Sequence, residues 1–163
     1  MGSQRRLVFA VAGSLFLPFV FAGTVQMPGS LPAPWVQAIT ALSSIQKAQR
    51  LYATACGNGG YASSIGVLLD PVPGTSTAFL SEHFARYAPG DYVVTVAPGA
   101  DTAAGTLDCH GNRTVSRFYA SAVPAARSRA QRSYATTQDG TIWQVKGPSA
   151  PAEPFHSPAT RIQ

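Results

Sequence analysis

Charge is what this 163-residue sequence has least of. Asp, Glu, Lys and Arg make up 12% of it, against roughly 25% in an ordinary globular domain. The first acidic residue is Asp70. A formal net charge of +5 is modest and gives no ground by itself for a nucleic-acid partner. The three histidines, His83, His110 and His156, share no metal-ligand spacing. No Gly-x-Ser-x-Gly elbow is present, which removes the usual signal of a serine hydrolase. The segment Gly57-Asn58-Gly59-Gly60 follows a helical pattern and lacks the Gly-Lys-Ser/Thr ending of a phosphate loop, so it reads as a helix stop. Asp108-Cys109-His110 is locally suggestive of a ligand or nucleophile, but a bridged Cys109 would lose its thiol. These absences lead to the expectation that the chain is not an enzyme and uses no cofactor, catalytic metal or small-molecule substrate.

What the sequence does have begins at its N-terminus. Arg5 and Arg6 give a basic start, and Leu7 to Phe21 is an apolar run without charge. Val20-Phe21-Ala22 before Gly23 ends in a small residue, so Ala22 and Gly23 form a candidate signal cleavage site. Residues 7–25 come close to the ~20 apolar residues of a bilayer span, so an uncleaved anchor is the other reading. In both, Arg5 and Arg6 stay on the cytoplasmic side. Removing residues 1–22 leaves 141 residues, enough for one domain with a core. In an exported chain Cys56 and Cys109 are expected to form a disulfide, the alternative being two buried thiols. The bridge would close a loop of 54 residues, worth roughly 4 kcal/mol on the chain-entropy account.

Residues 23–33 form a connector in which Pro28, Gly29 and Pro32 rule out a continuous helix. From Pro34, a residue suited to a first helical turn, Trp35, Ala38, Ile39, Leu42, Ile45, Ala48, Gln49 and Tyr52 recur at steps of three and four. This predicts an amphipathic helix to about Cys56. Residues 61–90 read as loop with two short helical pieces, around Ile65–Leu69 and Phe79–Tyr87. From residue 91 the period shortens. Strands are predicted at Tyr92–Val96, Thr114–Ala122, Arg132–Gln138 and Thr141–Val145, the last two joined by the hairpin signal Asp139-Gly140. Pro98 to Arg113 reads as a polar, Gly-rich loop, and residues 147–163 as a Pro-rich extended tail. The expected fold class is α+β: a long N-terminal amphipathic helix packed on a four-stranded antiparallel sheet. The expected divisions are 1–22 signal or anchor, 23–33 connector, 34–146 domain and 147–163 tail.

One basic cluster stands apart. Arg113, Arg117, Arg127, Arg129 and Arg132 fall within 20 residues that contain no acid, near Phe118, Tyr119 and Tyr134. Arginine beside aromatics is the composition of a single-stranded nucleic-acid platform, and it is also that of a solvated strand face in a basic protein. Asn112-Arg113-Thr114 matches the glycosylation sequon.

The order of several segments resembles the globular domains of type IV pilin-like and pseudopilin proteins. They are Ala38 to Gln49 with Tyr52, Cys56-Gly57-Asn58-Gly59-Gly60-Tyr61, Gly90-Asp91-Tyr92, Asp108-Cys109-His110-Gly111-Asn112 before Phe118 to Pro124, and Arg132-Ser133-Tyr134-Ala135 leading into Gln138 to Gln144. Together they cover about residues 36–146. The resemblance implies a pilin-like fold and an exported structural or accessory subunit of a type IV pilus or type II secretion-like system. Its partners would be other such subunits, and its place periplasmic, inner-membrane-anchored or extracellular in a Gram-negative bacterium. The chain departs from that pattern at its N-terminus. It has no Gly-Phe-Thr-Leu-Ile-Glu motif, and without an acid before Asp70 it lacks the glutamate used for subunit registration. The alternative expectation is a stand-alone secreted or periplasmic binding module that presents the five arginines to DNA or an anionic polymer.

Overall fold

The computed structural model describes residues 33–81, 84 and 90–162. The predicted export segment, its Ala22–Gly23 junction and the connector up to residue 32 lie outside the described residues, as does most of the predicted helical piece around His83 to Tyr87.

The three-to-four spacing does produce a helix, α1 (Pro34–Ala55), which at 22 residues is roughly 33 Å long. Ala38, Leu42, Ile45, Ala48, Gln49 and Tyr52 are buried along one stripe of it, with Ala41 and Gln46 alongside. Trp35 does not join them: it stays 54% exposed at the first turn. The helix stops where the glycines begin. The N–H groups of Cys56 and Gly57 both donate to Tyr52 O, at 2.9 and 2.7 Å. Asn58 and Gly59 then turn into the left-handed region, at φ 50° and 86°, so that Gly59 N reaches back to Ala53 O at 2.9 Å. The single turn α2 (Ile65–Leu68) follows, opened by Ser64, whose hydroxyl accepts from Val67 N.

Beyond residue 91 the chain makes β1 (Tyr92–Pro98), β2 (Ala104–Leu107), β3 (Arg113–Val115), β4 (Phe118–Pro124), β5 (Arg132–Thr137), β6 (Ile142–Lys146) and β7 (Thr160–Arg161). The expected helix on a four-stranded sheet is therefore corrected. The body is mostly sheet, with five antiparallel strands in the order β1-β4-β5-β6-β7 and a separate two-stranded sheet, β2-β3. Each departure has a local cause. β2 is exposed or half-exposed along its whole length, so it has no buried face and shows no apolar alternation. The segment predicted as one strand, Thr114–Ala122, is interrupted at Ser116-Arg117, which frees β3 to pair with β2 while β4 pairs with β1 and β5. β7 is only two residues long and comes from the tail, where proline hides any periodic signal.

Strand register assigns the faces. Tyr92, Val96, Phe118, Ala120, Ala122 and Tyr134 share the face toward α1 and form one core with Leu42, Ile45 and Tyr52. Tyr119, Ser121, Ala135 and Trp143 share the other face. Residues 147–159 cross that second face as a strap before β7 joins the edge of the sheet. Ser133 Oγ donates to Gly147 O at 2.7 Å, and Tyr119 Oη donates to Pro151 O at 2.6 Å. Phe155 stacks between Tyr119 and Trp143, with ring centroids 6.4 and 5.2 Å away. Ile162 N donates to Ile142 O at 2.9 Å beside β7.

Candidate functional site

The densest polar construction among the described residues sits where α1 ends. Cys56 follows the last helical residue and Cys109 lies in the turn between β2 and β3, and the two are joined in a disulfide with Cα atoms 4.9 Å apart. The backbone supports the bridge: Cys109 N donates to Cys56 O at 3.1 Å, and Asn58 Nδ2 donates to Leu107 O at 3.1 Å.

Asp108, one residue before the bridge, is buried and yet fully engaged. Its Oδ1 accepts from the N–H groups of His110 and Asn112 at 2.8 and 2.7 Å. Its Oδ2 accepts from Tyr52 Oη at 2.6 Å and from Asn112 Nδ2 at 3.2 Å. Burial works to raise the pKa of this carboxyl, but the donors from Tyr52, Asn112 and His110 outweigh it and hold the group below the usual carboxylate range. Tyr52 moves the opposite way. Burial, and then the hydrogen bond to Asp108 and its charge, push the phenol well above its ordinary value. The pair is a fixed neutral donor on a fixed anion, an arrangement for holding a turn rather than for moving a proton.

Cys56, Cys109 and His110 are also the one group of metal-ligating side chains close enough to share an ion among the described residues. The disulfide consumes both thiols, and the His110 ring donates from Nε2 to Pro71 O at 3.0 Å, so this donor set does not fit a metal. The sequon is occupied in the same way. Asn112 spends its amide on Asp108 and Asp70, and Thr114 is completely buried, its hydroxyl donating to Thr106 O at 2.9 Å.

The five arginines do not form one surface. Arg113 is the first residue of β3 and donates weakly to Gly105 O, while Arg117 lies in the β3–β4 link, where its backbone takes part in bonds with Gly99 and Thr102. Arg127 and Arg129 belong to the connection after β4, and Arg132 opens β5. The seven residues of β4 separate the two groups by roughly 20 Å. Arg113 and Arg117 thus sit at one end of the sheet, and Arg127, Arg129 and Arg132 at the other.

Two features escaped the sequence reading. The first is what the helix glutamines hold: Gln49, which the helical spacing placed on the inward face, and Gln46, which it did not, are both buried. Gln49 clamps the backbone of Ala62, donating to its carbonyl and accepting from its N–H, both at 2.9 Å. Gln46 Nε2 donates to Gly140 O at 3.0 Å and to Thr136 Oγ1. The second is the strap and its aromatic stack. Its only sequence signal is Phe155 among prolines, which says nothing about where the ring lands.

Comparison with known protein families, with curated proteins and with solved structures finds no match to this chain.

Proposed function

We propose that the chain is an exported structural or accessory subunit of a type IV pilus or of a type II secretion-like system, held at or passed across the membrane by residues 7–25. The reading rests on the order of segments that resembles pilin-like and pseudopilin proteins and does not depend on the strand count. The observation that carries it is how α1 is mounted. Buried side chains fix one face of the helix along most of its length, paired glutamines tie it to the backbone of Ala62 and Gly140, and a disulfide locks its C-terminal end. Its first turn has no side-chain cap. From Ala38 to its C-terminal end the helix thus keeps one fixed seat on the sheet, which suits a subunit that must present a constant outer surface to its neighbours. The opposite side of α1, with Lys47, Arg50, Leu51 and Thr54 exposed, is left for neighbours.

Photo-cross-linking from positions 51 and 54 in the native envelope tests this. The expected result is a covalent product with another filament or secretion-system subunit, from protein recovered outside the cytoplasm. Recovery from the cytoplasm alone would overturn export. Envelope protein that yields no such product from either position would overturn the subunit role.

A further inference from the structure

A cavity of about 600 Å³ opens between the first turn of α1 and the adjoining ends of the strands, and its lining is split by chemistry. The walls are apolar and aromatic, with Trp35, Ile39, Tyr92, Tyr134 and Ile162; the polar lining includes Arg129 and Arg132. Among the described residues no carboxylate pairs with these cations. Among the described residues Arg129 makes no hydrogen bond or ion pair, and Arg132 is held at 3.2 Å by the neutral Gln144 Oε1. Lys146 lies directly opposite Arg132 in the β5–β6 register, and like charges so placed repel. Asp91, next to Tyr92, accepts from Ser128 Oγ at 3.2 Å and forms no ion pair with them. The helix that ends at the cavity brings no acid in its first turn either. Trp35 stands 54% exposed at the rim of the same cavity.

An exposed indole, an apolar slot and guanidinium groups at its edge are together the chemistry of a membrane interface. Chain length agrees. Twelve residues, 22–33, separate the apolar run Leu7–Phe21 from Pro34 in the sequence, and Pro34 is part of the cavity lining. We infer that this cavity is a docking site for an anionic phospholipid, with the phosphate on Arg129 and Arg132 and the apolar part against Trp35 and Ile39. The proposal rests on the membrane-proximal part of the function given above. It sets the orientation of the domain, with the α1 entry end against the bilayer surface and the β2–β3 end away from it.

The test uses the full chain carrying Trp143→Phe, so that Trp35 is the sole tryptophan, reconstituted in vesicles of phosphatidylcholine with or without phosphatidylglycerol. In the anionic vesicles Trp35 is expected to be quenched by bromolipid and shielded from acrylamide. Raised salt or the Arg129→Gln/Arg132→Gln double variant should weaken that shielding roughly tenfold. Equal acrylamide access in both vesicle types, or a double variant indistinguishable from its parent, would overturn the proposal. Displacement by inorganic phosphate would reassign the site to a free anion. Arginine-dependent binding of a single-stranded oligonucleotide in preference to the vesicles would reassign it to nucleic acid. If the chain fails to stay with neutral vesicles, it is the anchor that falls. The cavity then predicts retention on anionic vesicles alone, lost in the double variant.

Discussion

Leu42, Ile45 and Tyr52 lie over one face of the five-stranded sheet, and Pro151 and Phe155 lie over the other, but the two covers are held by different means. The helix cover is periodic and continuous, and it is closed covalently at Cys56–Cys109. The strap has no helical or strand period until β7, contributes one aromatic anchor, and is fixed by hydrogen bonds to Pro151 and Gly147 and from Ile162. The first should open only when the whole domain unfolds. The second should open locally, at lower free energy. That contrast separates a side held as one piece from a side that can open by itself.

The largest effect is expected from removing the covalent closure. The double variant Cys56→Ala/Cys109→Ala should lose about 4 kcal/mol in denaturant unfolding, because the loop it frees is long. A loss below about 1 kcal/mol would mean that packing alone holds the helix cover, and the distinction between the two faces would weaken. Next is Asp108→Asn, about 2 kcal/mol, since the new amide would face the donors of Tyr52 and Asn112 with a donor of its own. The difference should depend on acidity. The Asp108 carboxyl titrates below its unfolded value, so its contribution is complete above the ordinary carboxylate range and disappears as pH falls through the lower folded value. Unfolding of parent and variant across the acid range checks this: the two curves should converge toward low pH, and a constant gap would refute the charge-assisted account.

How much of this was legible in the sequence follows the same division. α1 could be read because a helix buried on one side must repeat its apolar residues every three or four positions, and Ala38 to Tyr52 do. β1, β5 and β6 could be read because Val, Ile, Tyr and Thr cluster there between turn residues, and Gly140, at φ 82°, marks the hairpin that Asp139-Gly140 signals. β2 could not, because a strand exposed throughout has no burial pattern to write into sequence. The break at Ser116-Arg117 was invisible because both sides carry strand-forming residues. The strap was hidden for a further reason: its contacts are long-range pairings of Phe155 and Pro151 with Tyr119, far apart in the chain. The arginines were misleading as a group because closeness in sequence across a strand puts residues at opposite ends of it. The cavity needed Trp35 and Arg132 brought together from positions almost a hundred residues apart, and neither residue announces the other.

The smallest expected effect isolates the strap. Tyr119→Phe removes only the hydroxyl that donates to Pro151 O, so it should cost about 1 kcal/mol and leave the helix side untouched. Its signature lies in alkali. Burial first, and then the nearby charge of Glu153, push the Tyr119 phenol up to about 12, with the Ser121 hydroxyl opposing them. A phenol raised in this way favours the neutral folded form. Its contribution is therefore complete below the unfolded value of about 10 and is lost as pH rises through about 12. Hydrogen exchange would be too fast to follow there, so the readout is the fluorescence of Trp143, which stacks on Phe155 and reports the strap directly. In a chain carrying Trp35→Phe, the emission should shift between pH about 10 and 12 before any loss of helical circular dichroism. With Tyr119→Phe added, that early shift should vanish. If fluorescence and helicity instead change together with Tyr119 present, the strap is not an independent cover. The two faces would then unfold as one, whatever the difference in how they are built.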